Sequence, residues 1–582
     1  MSSPVYILGT GLSHDGSAIL LKDGAIHVGI EKERVTRLKH DGGNDTAAIQ
    51  YCLDAAGITL ADVSLVVQCA NFETPDRERF RGPRLFAGQE HPPLITISHH
   101  LAHAYSAAGT CDFETCNILV IDGAGSPFEQ CIDVQTGELS PENLPELSRQ
   151  KRWCEKDSFY HFDGQRLSTL YKDFSEFEPP TSASFSLQTT KHSIGGFYAS
   201  VSQYVFGNLD DVGKLMGLAP YGQSGAWTMP AFDFQDGRIF VRTDWQQLLD
   251  RPAQGPGDFK QNFQYYADVA RWAQECVERA VAACFENRLT RFPHANICFS
   301  GGVALNAVAN ARLLNEGIVE NLYLEPAAGD NGLALGCAFY GWLEAMSQPK
   351  VPHNGNTCFG KTYVSAEIAA LSVDETAPYK SRTFTDERAL VGEAARLLAA
   401  GKTIGWFQGG AEFGPRALGH RSILAHPGIP GLQDHINANI KFREDFRPFA
   451  PAVLPHLAAN YFVSGRKSPY MILVDQTKPE YLEQLQNVTH VNGTARVQTV
   501  DASWNPRFAL LLEQFHALTG IGVLLNTSFN RKGMPMVERP EEALALFAES
   551  ALDVLVIENV FFEKTAQPAD PERNELIHTD TL

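Results

Sequence analysis

An α/β protein in two parts is what the sequence predicts, and three observations predict it. The chain opens as strand, turn and strand. A strand that runs into a Gly-rich turn and then a helix occurs twice in the first part. A second set of short apolar strands follows, with cations on the loops between them.

The elements follow in order. Residues 5–9 and 17–21 form short apolar runs joined to a third, 25–30, by the hairpin turn Lys22-Asp23-Gly24. A charged stretch occupies 31–40. A helix is expected over Thr46–Ala56, ending at Gly57, and a buried strand over 63–69. Leu94–Ile97 reads as a strand, with Ser98 in helix N-cap position and the helix running to about Gly109. Next comes a strand over 117–121 that ends in Asp122-Gly123-Ala124-Gly125. The same grammar returns as a helix over 265–289, a strand over Asn296–Ser300, the turn Gly301-Gly302-Val303-Ala304-Leu305-Asn306 and another helix. Such turns receive phosphate at a helix N-terminus. The opening hairpin with two of them suits a duplicated, actin-like nucleotide fold. There is no GxGxxG fingerprint with an acidic partner and no P-loop.

Residues 348–360, rich in Pro, Asn and Gly, read as a surface connection. A helix over 386–400 opens the second part, which holds strands at 405–409 and 521–525 and a polar tail from about 566 that is expected to fray. The boundaries drawn are 1–350, a connecting segment 351–385, and 386–582.

Lys and Arg number 48 against 68 Asp and Glu, a formal charge of −20, and 44% of residues are hydrophobic. Such a chain buries sizeable cores. Its acidity argues against a nucleic-acid footprint, which needs a basic face, and leaves room for a local pocket that takes a small anion. No signal segment and no run of roughly 20 apolar residues is seen, so a cytoplasmic chain without a membrane partner is expected. The 11 cysteines include no CxxC pair and read as buried free thiols, not as disulfides or a cysteine zinc site.

Several groups can carry chemistry. His99 and His103 lie four apart on one helix face, within reach of one ion. Asp122 ends the next strand and Asp330 lies in a Gly-flanked turn. Two His and two Asp suit Fe(II), Mn(II) or Zn(II) better than soft metals. The plainer reading leaves both histidines as ordinary surface or core residues. His14, in the turn His14-Asp15-Gly16-Ser17, can serve as a general base near neutral pH, or simply flank an Asp-Gly turn. The second part gathers Arg416, His420 and Arg421, then Lys441, Arg443 and Arg447, and later Arg496. Their setting among Gly, Pro and aromatics points to a phosphate pocket instead of a solvated face. Asn526 and Ser528 add neutral donors. Lys214, between two glycines, is a weaker nucleotide-contact candidate.

Taken together, these segments resemble the nodulation-type O-carbamoyltransferases. They are His14-Asp15-Gly16-Ser17-Ala18, Glu33-Arg34 with Lys39-His40, His99-His100-Leu101-Ala102-His103-Ala104, Asp122-Gly123 and Gly213-Lys214-Leu215-Met216-Gly217-Leu218-Ala219. The series continues with Ser300 to Asn306, Phe413-Gly414-Pro415-Arg416-Ala417-Leu418-Gly419-His420-Arg421-Ser422, Lys441-Phe442-Arg443, Phe446-Arg447-Pro448-Phe449-Ala450-Pro451 and Asn526-Thr527-Ser528-Phe529-Asn530. Each alone is weak, but they fall in order along most of the chain.

The resemblance implies an actin-like first domain, like that of the enzymes making threonylcarbamoyladenosine in tRNA, fused to a YrdC-like second domain. It implies that the second domain binds carbamoyl phosphate and ATP with Mg through Arg416, Lys441, Arg443, Arg447, Arg496, Asn526 and Ser528. Carbamate released there attacks the α-phosphate of ATP, giving pyrophosphate and carbamoyl-adenylate. In the first domain a small-molecule alcohol attacks the carbonyl of that intermediate and AMP leaves. His14 takes the acceptor proton and Lys39 assists near the leaving group. Gly123, Lys214, Gly302 and Asn306 bind the adenylate. The metal held by His99, His103, Asp122 and Asp330 is typically iron, Fe(II) or another divalent ion. Two departures concern the acceptor region: Lys32 interrupts a Glu-Glu-Glu-Arg run, and Val212 replaces a Glu before Gly213-Lys214. Rival readings are a threonylcarbamoyl transferase acting on tRNA, a non-catalytic nucleotide or metal sensor, and an actin-like sugar kinase.

Overall fold

The computed structural model describes residues 3–43, 45–69, 92–177, 193–242, 244–249, 251–371 and 378–565. The tail expected to fray lies outside them.

The first sheet is built from β1 (Tyr6–Gly11), β2 (Ser17–Lys22), β3 (Ala25–Glu31), β4 (Leu65–Cys69) and β5 (Leu94–Ile97), in the order β3-β2-β1-β4-β5. The hairpins β1-β2 and β2-β3 are antiparallel; β1-β4 and β4-β5 are parallel. The second sheet repeats this plan with β6 (Cys116–Ile121), β7 (Glu138–Ser140), β8 (Trp153–Phe162), β9 (Leu167–Glu176), β10 (Asn296–Ser300) and β11 (Asn321–Leu324), in the order β11-β10-β6-β8-β9-β7. Here β6-β8 and β8-β9 are antiparallel, and β6-β10 and β10-β11 are parallel. The same order and the same polarity twice over make the first part the duplicated, actin-like α/β unit read from the sequence. The expected helices stand at Thr46–Ala56, Phe263–Arg291 and Ala307–Asn315. The charged stretch after β3 turns once as a short helix, Lys32–Thr36.

Between the two sheets run α1 (His99–Thr110) and α2 (Leu333–Phe339), whose residues are all buried. A helix covered on every side carries apolar or small residues all round. Ala102, Ala104, Ala107 and Ala108 pack there with Ile7, Val67, Ile118, Val120 and Leu335. Ser98 has the extended backbone of an N-cap but makes no side-chain cap bond. Its hydroxyl instead donates to Asp133 Oδ1 at 2.8 Å. The first amides of α1 are taken up by tertiary partners: His99 N–H donates to Ser126 Oγ (2.9 Å) and His100 N–H to Glu155 Oε2 (3.3 Å). Burial of the helix start brings these partners close, and they satisfy the orphan donors in place of the local cap.

An eight-stranded mixed sheet holds the second part together. Its strands are β12 (Tyr379–Thr383), β13 (Ile404–Phe407), β14 (Arg421–Ala425), β15 (Ala450–Val453), β16 (Gln498–Thr499), β17 (Val523–Ser528), β18 (Val554–Ile557) and β19 (Val560–Lys564). Their order is β12-β19-β18-β13-β14-β17-β15-β16. The sheet takes its edge strand, β12, from within 351–385, the stretch drawn as a connector. Residues 348–360 are likewise more than a surface connection. Thr357 and Phe359 are buried, Gly29 N–H donates to the Phe359 carbonyl (2.8 Å), and Phe413 N–H donates to that of Thr357 (2.6 Å). The segment thus adds hydrogen bonds to both parts, because its backbone groups are covered and need partners. The cysteines are free thiols, all buried but the half-buried Cys358. Among the described residues no helix is long and apolar enough to cross a membrane.

Candidate active site

The first cluster forms where α1 starts. His99 and His103 face the end of β6, where Asp122 leaves the sheet, and the turn before α2, which carries Asp330. His99 Nε2 lies 2.9 Å from Asp122 Oδ2, 3.4 Å from Asp330 Oδ1 and 3.2 Å from His103 Nε2. His103 Nε2 lies 3.7 Å from Asp122 and 3.9 Å from Asp330. The four donor atoms lie within 4.8 Å of one another. Both histidines are fully buried. Burial opposes charge on His99, but Asp330 and then Asp122 outweigh it and hold the imidazole well above its ordinary pKa. Burial likewise opposes charge on Asp122, and the hydrogen bonds of His103 and His99 prevail, keeping it well below the usual carboxylate range. With the rings neutral, the two facing ring nitrogens and two carboxylates offer four ligand atoms to one point. This mixed nitrogen and oxygen set fits a divalent metal such as Fe(II), Mn(II) or Zn(II).

Backbone geometry fixes this cluster. Gly302 N–H donates to Asp122 Oδ1 at 3.0 Å. Gly301, at φ +88°, lets the turn close against β6; a Cβ there would stand 2.3 Å from the Ile121 carbonyl oxygen. Ser13 Oγ (2.5 Å) and His14 N–H (3.3 Å) donate to Asp330 Oδ2. The first hairpin turn, with His14, is therefore hydrogen-bonded to the metal cluster, a neighbourhood that spacing could not reveal.

His14 itself is not poised as the neutral base that the sequence suggested. Nδ1 lies 3.4 Å from Asp15 and Nε2 3.2 Å from Asp210. Hydrogen bonding to Asp15, then to Asp210, raises its pKa to about 11. At neutral pH both ring nitrogens carry protons, so the ring must first release one of them before it can accept a proton from an acceptor hydroxyl. Asp15 also pairs with His40 Nδ1 at 2.9 Å.

The other first-part candidates divide. Gly123 leaves open space where a Cβ would stand. Lys214 Nζ pairs with Asp211 (2.8 Å) and, across the seam between the parts, with Glu444 (3.3 Å). Asn306 caps the helix Ala307–Asn315 through Ala309 N–H and pairs reciprocally with Gln274, at 3.0 and 3.1 Å. Its amide is thus engaged in local structure, a correction to its expected place at an adenylate. Lys39 Nζ lies 3.7 Å from Glu33.

The second cluster is cationic. Lys441 is buried and donates to the Ser528 carbonyl (2.5 Å), Ser528 Oγ (3.1 Å) and Asn530 Oδ1 (2.7 Å). Arg443 is oriented by Asn437 Oδ1 at 2.8 Å and stacks over Phe449. Arg416 and Arg496 have buried Nε atoms without a partner, as does Asn526 at Oδ1. Burial, and then Arg447, push Arg416 down to about 10. Burial, then Arg416, Arg443 and Arg447, hold Arg496 well below its ordinary value. Lys441 is lowered by burial and then by Arg443, Arg447 and Lys39, so Lys39 of the first part faces this cluster. Half-buried guanidiniums and a buried ammonium that repel one another favour an anion joining them. His420 and Arg421 are engaged elsewhere, contrary to their grouping with Arg416. His420 Nδ1 meets the Gln408 carbonyl at 2.9 Å; Arg421 donates to that carbonyl at 3.0 Å and stacks on Phe407.

The two clusters meet at one seam. Arg34, which the sequence singled out only through resemblance, donates to the carbonyls of Glu412 (2.7 Å) and Gly414 (2.6 Å). Glu31 pairs with Arg34 and accepts from Asn331 Nδ2 (2.7 Å) and Gly414 N–H (3.2 Å). Gly414, at φ +123°, lies against Pro326, in the loop that leads to Asp330. Glu412 gathers the amides of Leu418 (2.6 Å), His420 (2.8 Å) and Arg421 (3.1 Å) and so shapes the loop bearing Arg416. Ser13, Asp210, Glu412 and Glu444 were not singled out from the sequence, and Asn530 entered only within a matching segment. Polar residues in turns give no local sign of long-range partners.

Comparison with known proteins identifies the family. Residues 6–82 and 84–339 match the family Carbamoyltransferase N-terminus, and 395–564 match Carbamoyltransferase C-terminus. Nodulation protein U of Rhizobium fredii is 33% identical over 90% of this chain and 90% of its own. Nodulation protein NolNO of Sinorhizobium fredii is 31% identical over 96% of this chain and 80% of its own. A 3'-hydroxymethylcephem-O-carbamoyltransferase of Amycolatopsis lactamdurans is 30% identical over 61% and 65%. Among solved structures, T. kodakarensis HypF aligns at 13% identity over 60% of this chain and 49% of its own, with a TM-score of 0.34, which adds nothing to the assignment. On the family matches to both parts, this chain belongs to the carbamoyltransferase family.

Proposed function

We propose that this carbamoyltransferase is an ATP-dependent O-carbamoyltransferase that works through carbamoyl-adenylate. The observation that carries the reading is the set Arg416, Lys441, Arg443 and Arg496, each disfavoured by neighbouring cations, with Arg447 among them, beside the His2Asp2 cluster. In this reading the five cations hold carbamoyl phosphate and the triphosphate of ATP with its Mg. Their fixed charge stabilises negative charge as it moves onto pyrophosphate. Water cleaves carbamoyl phosphate to carbamate and inorganic phosphate; the carbamate oxygen then bonds to the α-phosphorus, the bond to the β-phosphate bridging oxygen breaks, and pyrophosphate leaves. Carbamate and its adenylate are labile in water, and the covered seam joining the parts suits their passage.

In the first part an alcohol oxygen attacks the carbamoyl carbon and AMP departs; His14 takes the hydroxyl proton after its ring has released the Nε2 proton to solvent and the acceptor has replaced Asp210 beside it. Lys39 and Lys214 face the departing phosphate, and Gly123 and Gly302 let the adenylate approach the backbone. A divalent metal, Fe(II) among the candidates, would be held by His99, His103, Asp122 and Asp330 and supplies a Lewis acid there. The cephem relative, named for transfer to a hydroxymethyl group, supports a small-molecule alcohol of specialised metabolism as acceptor.

The test uses the whole protein with carbamoyl phosphate, ATP and Mg²⁺ and no acceptor, followed by mass spectrometry. Carbamoyl-adenylate and pyrophosphate are expected from the wild type and absent from Arg447→Ala. Pyrophosphate in neither sample, with metal-loaded protein, rejects the adenylate route.

A further inference from the structure

Glu444 lies within Lys441-Phe442-Arg443-Glu444-Asp445-Phe446-Arg447, the loop that supplies three of the five cations. Its carboxylate pairs with Lys532 (2.9 Å), with Lys214 of the first part (3.3 Å) and with Arg447 (3.8 Å). Burial opposes its charge, but Lys214 and then Lys532 hold its pKa at about 2. It is therefore an anion at any working pH. It also opposes the charge repulsion that Arg443 meets from Arg447. Negative charge brought to those cations stands beside it and repels it.

We propose that Glu444 is a resident counter-ion shared by the two parts. It stands in for substrate phosphate before substrate binds, and it withdraws from Lys214 when phosphate arrives. This rests on reading the five cations as a phosphate site. Two consequences follow from the charges. Glu444 lowers the affinity of the site for free phosphate groups. Occupancy of the second-part site removes Glu444 from Lys214 and leaves its ammonium with Asp211 (2.8 Å) as its remaining partner, so the first part gains positive charge when an adenylate is about to reach it. Glu444 is a positioning residue in this scheme, acting through Arg447 and Lys214.

The test measures pyrophosphate binding calorimetrically in magnesium-free buffer with EDTA, using the full-length wild type, Glu444→Gln and Glu444→Asp. Glu444→Gln is expected to bind about tenfold tighter, and Glu444→Asp, which keeps the charge, close to the wild type. Unchanged or weaker binding by Glu444→Gln, with the wild type binding, overturns the counter-ion alone. No binding by the wild type overturns the phosphate site and the counter-ion with it. A second measurement needs no variant: acylation of Lys214 by a water-soluble succinimidyl ester, followed by peptide mass spectrometry. Pyrophosphate is expected to speed labelling severalfold, and unchanged or slower labelling overturns the relay.

Discussion

Arg34 donates to the main-chain carbonyl of Gly414 at 2.6 Å, across 380 residues of sequence. That bond, with its neighbour to Glu412 and the pair with Glu31, attaches the loop carrying Arg416 to the part carrying the histidines. Arg34→Met leaves Glu31 as a buried carboxylate without its cation and two carbonyls without donors. A loss of about 3–5 kcal/mol is expected, seen as a lower first unfolding transition in calorimetry, with the first half-reaction lost together with the seam.

The protonation of His14 makes a pH prediction. Its folded pKa, about 11, stands above the ordinary 6.5. The stability it contributes is complete below about 6.5 and is lost as pH rises toward 11. In a proton-detected titration the His14 ring stays cationic at pH 8. Asp210→Asn brings its titration down toward the ordinary range and flattens the stability loss above pH 6.5. An unchanged titration in that variant would show that Asp210 does not hold the proton.

The four-residue cluster predicts a metal requirement with a spectroscopic reading. Co(II) is expected to bind the wild type in about one equivalent, with visible d–d bands. His99→Ala and Asp330→Ala lose those bands, and Arg447→Ala keeps them. With metal at a hundredfold excess over its Kd, chelation lowers stability by about 2.7 kcal/mol. Bands that persist in His99→Ala place the metal elsewhere.

Arg496 illustrates a conflict between stability and binding. Its guanidinium is held among Arg416, Arg443 and Arg447, and its Nε lacks a partner. Arg496→Met removes repulsion and keeps the apolar stem, so about 1 kcal/mol of added stability is expected. Pyrophosphate affinity falls in the same variant. A variant that loses both stability and affinity marks Arg496 as a structural residue.

By itself the sequence determined the units that short-range chemistry writes: the opening hairpin, the strands that end in Gly turns, and the helix over Thr46–Ala56. It also fixed the shared face of His99 and His103, since four residues make roughly one helical turn. Where its ordered motifs were family-specific, it marked the cations of the second part. The tertiary structure decided what chain separation hides. It brought Asp122 to His99 over 23 residues and Asp330 to Ser13 over 317. It turned Arg421 toward Gln408, engaged Asn306 as a cap, and surrounded His14 with Asp15 and Asp210. It also placed Glu444 between Lys214 and Arg447. The physical reason is the same in each case. A turn or a periodicity depends on neighbouring residues, whereas a charge or a hydrogen-bond donor takes whatever partner the packing of distant elements leaves within reach.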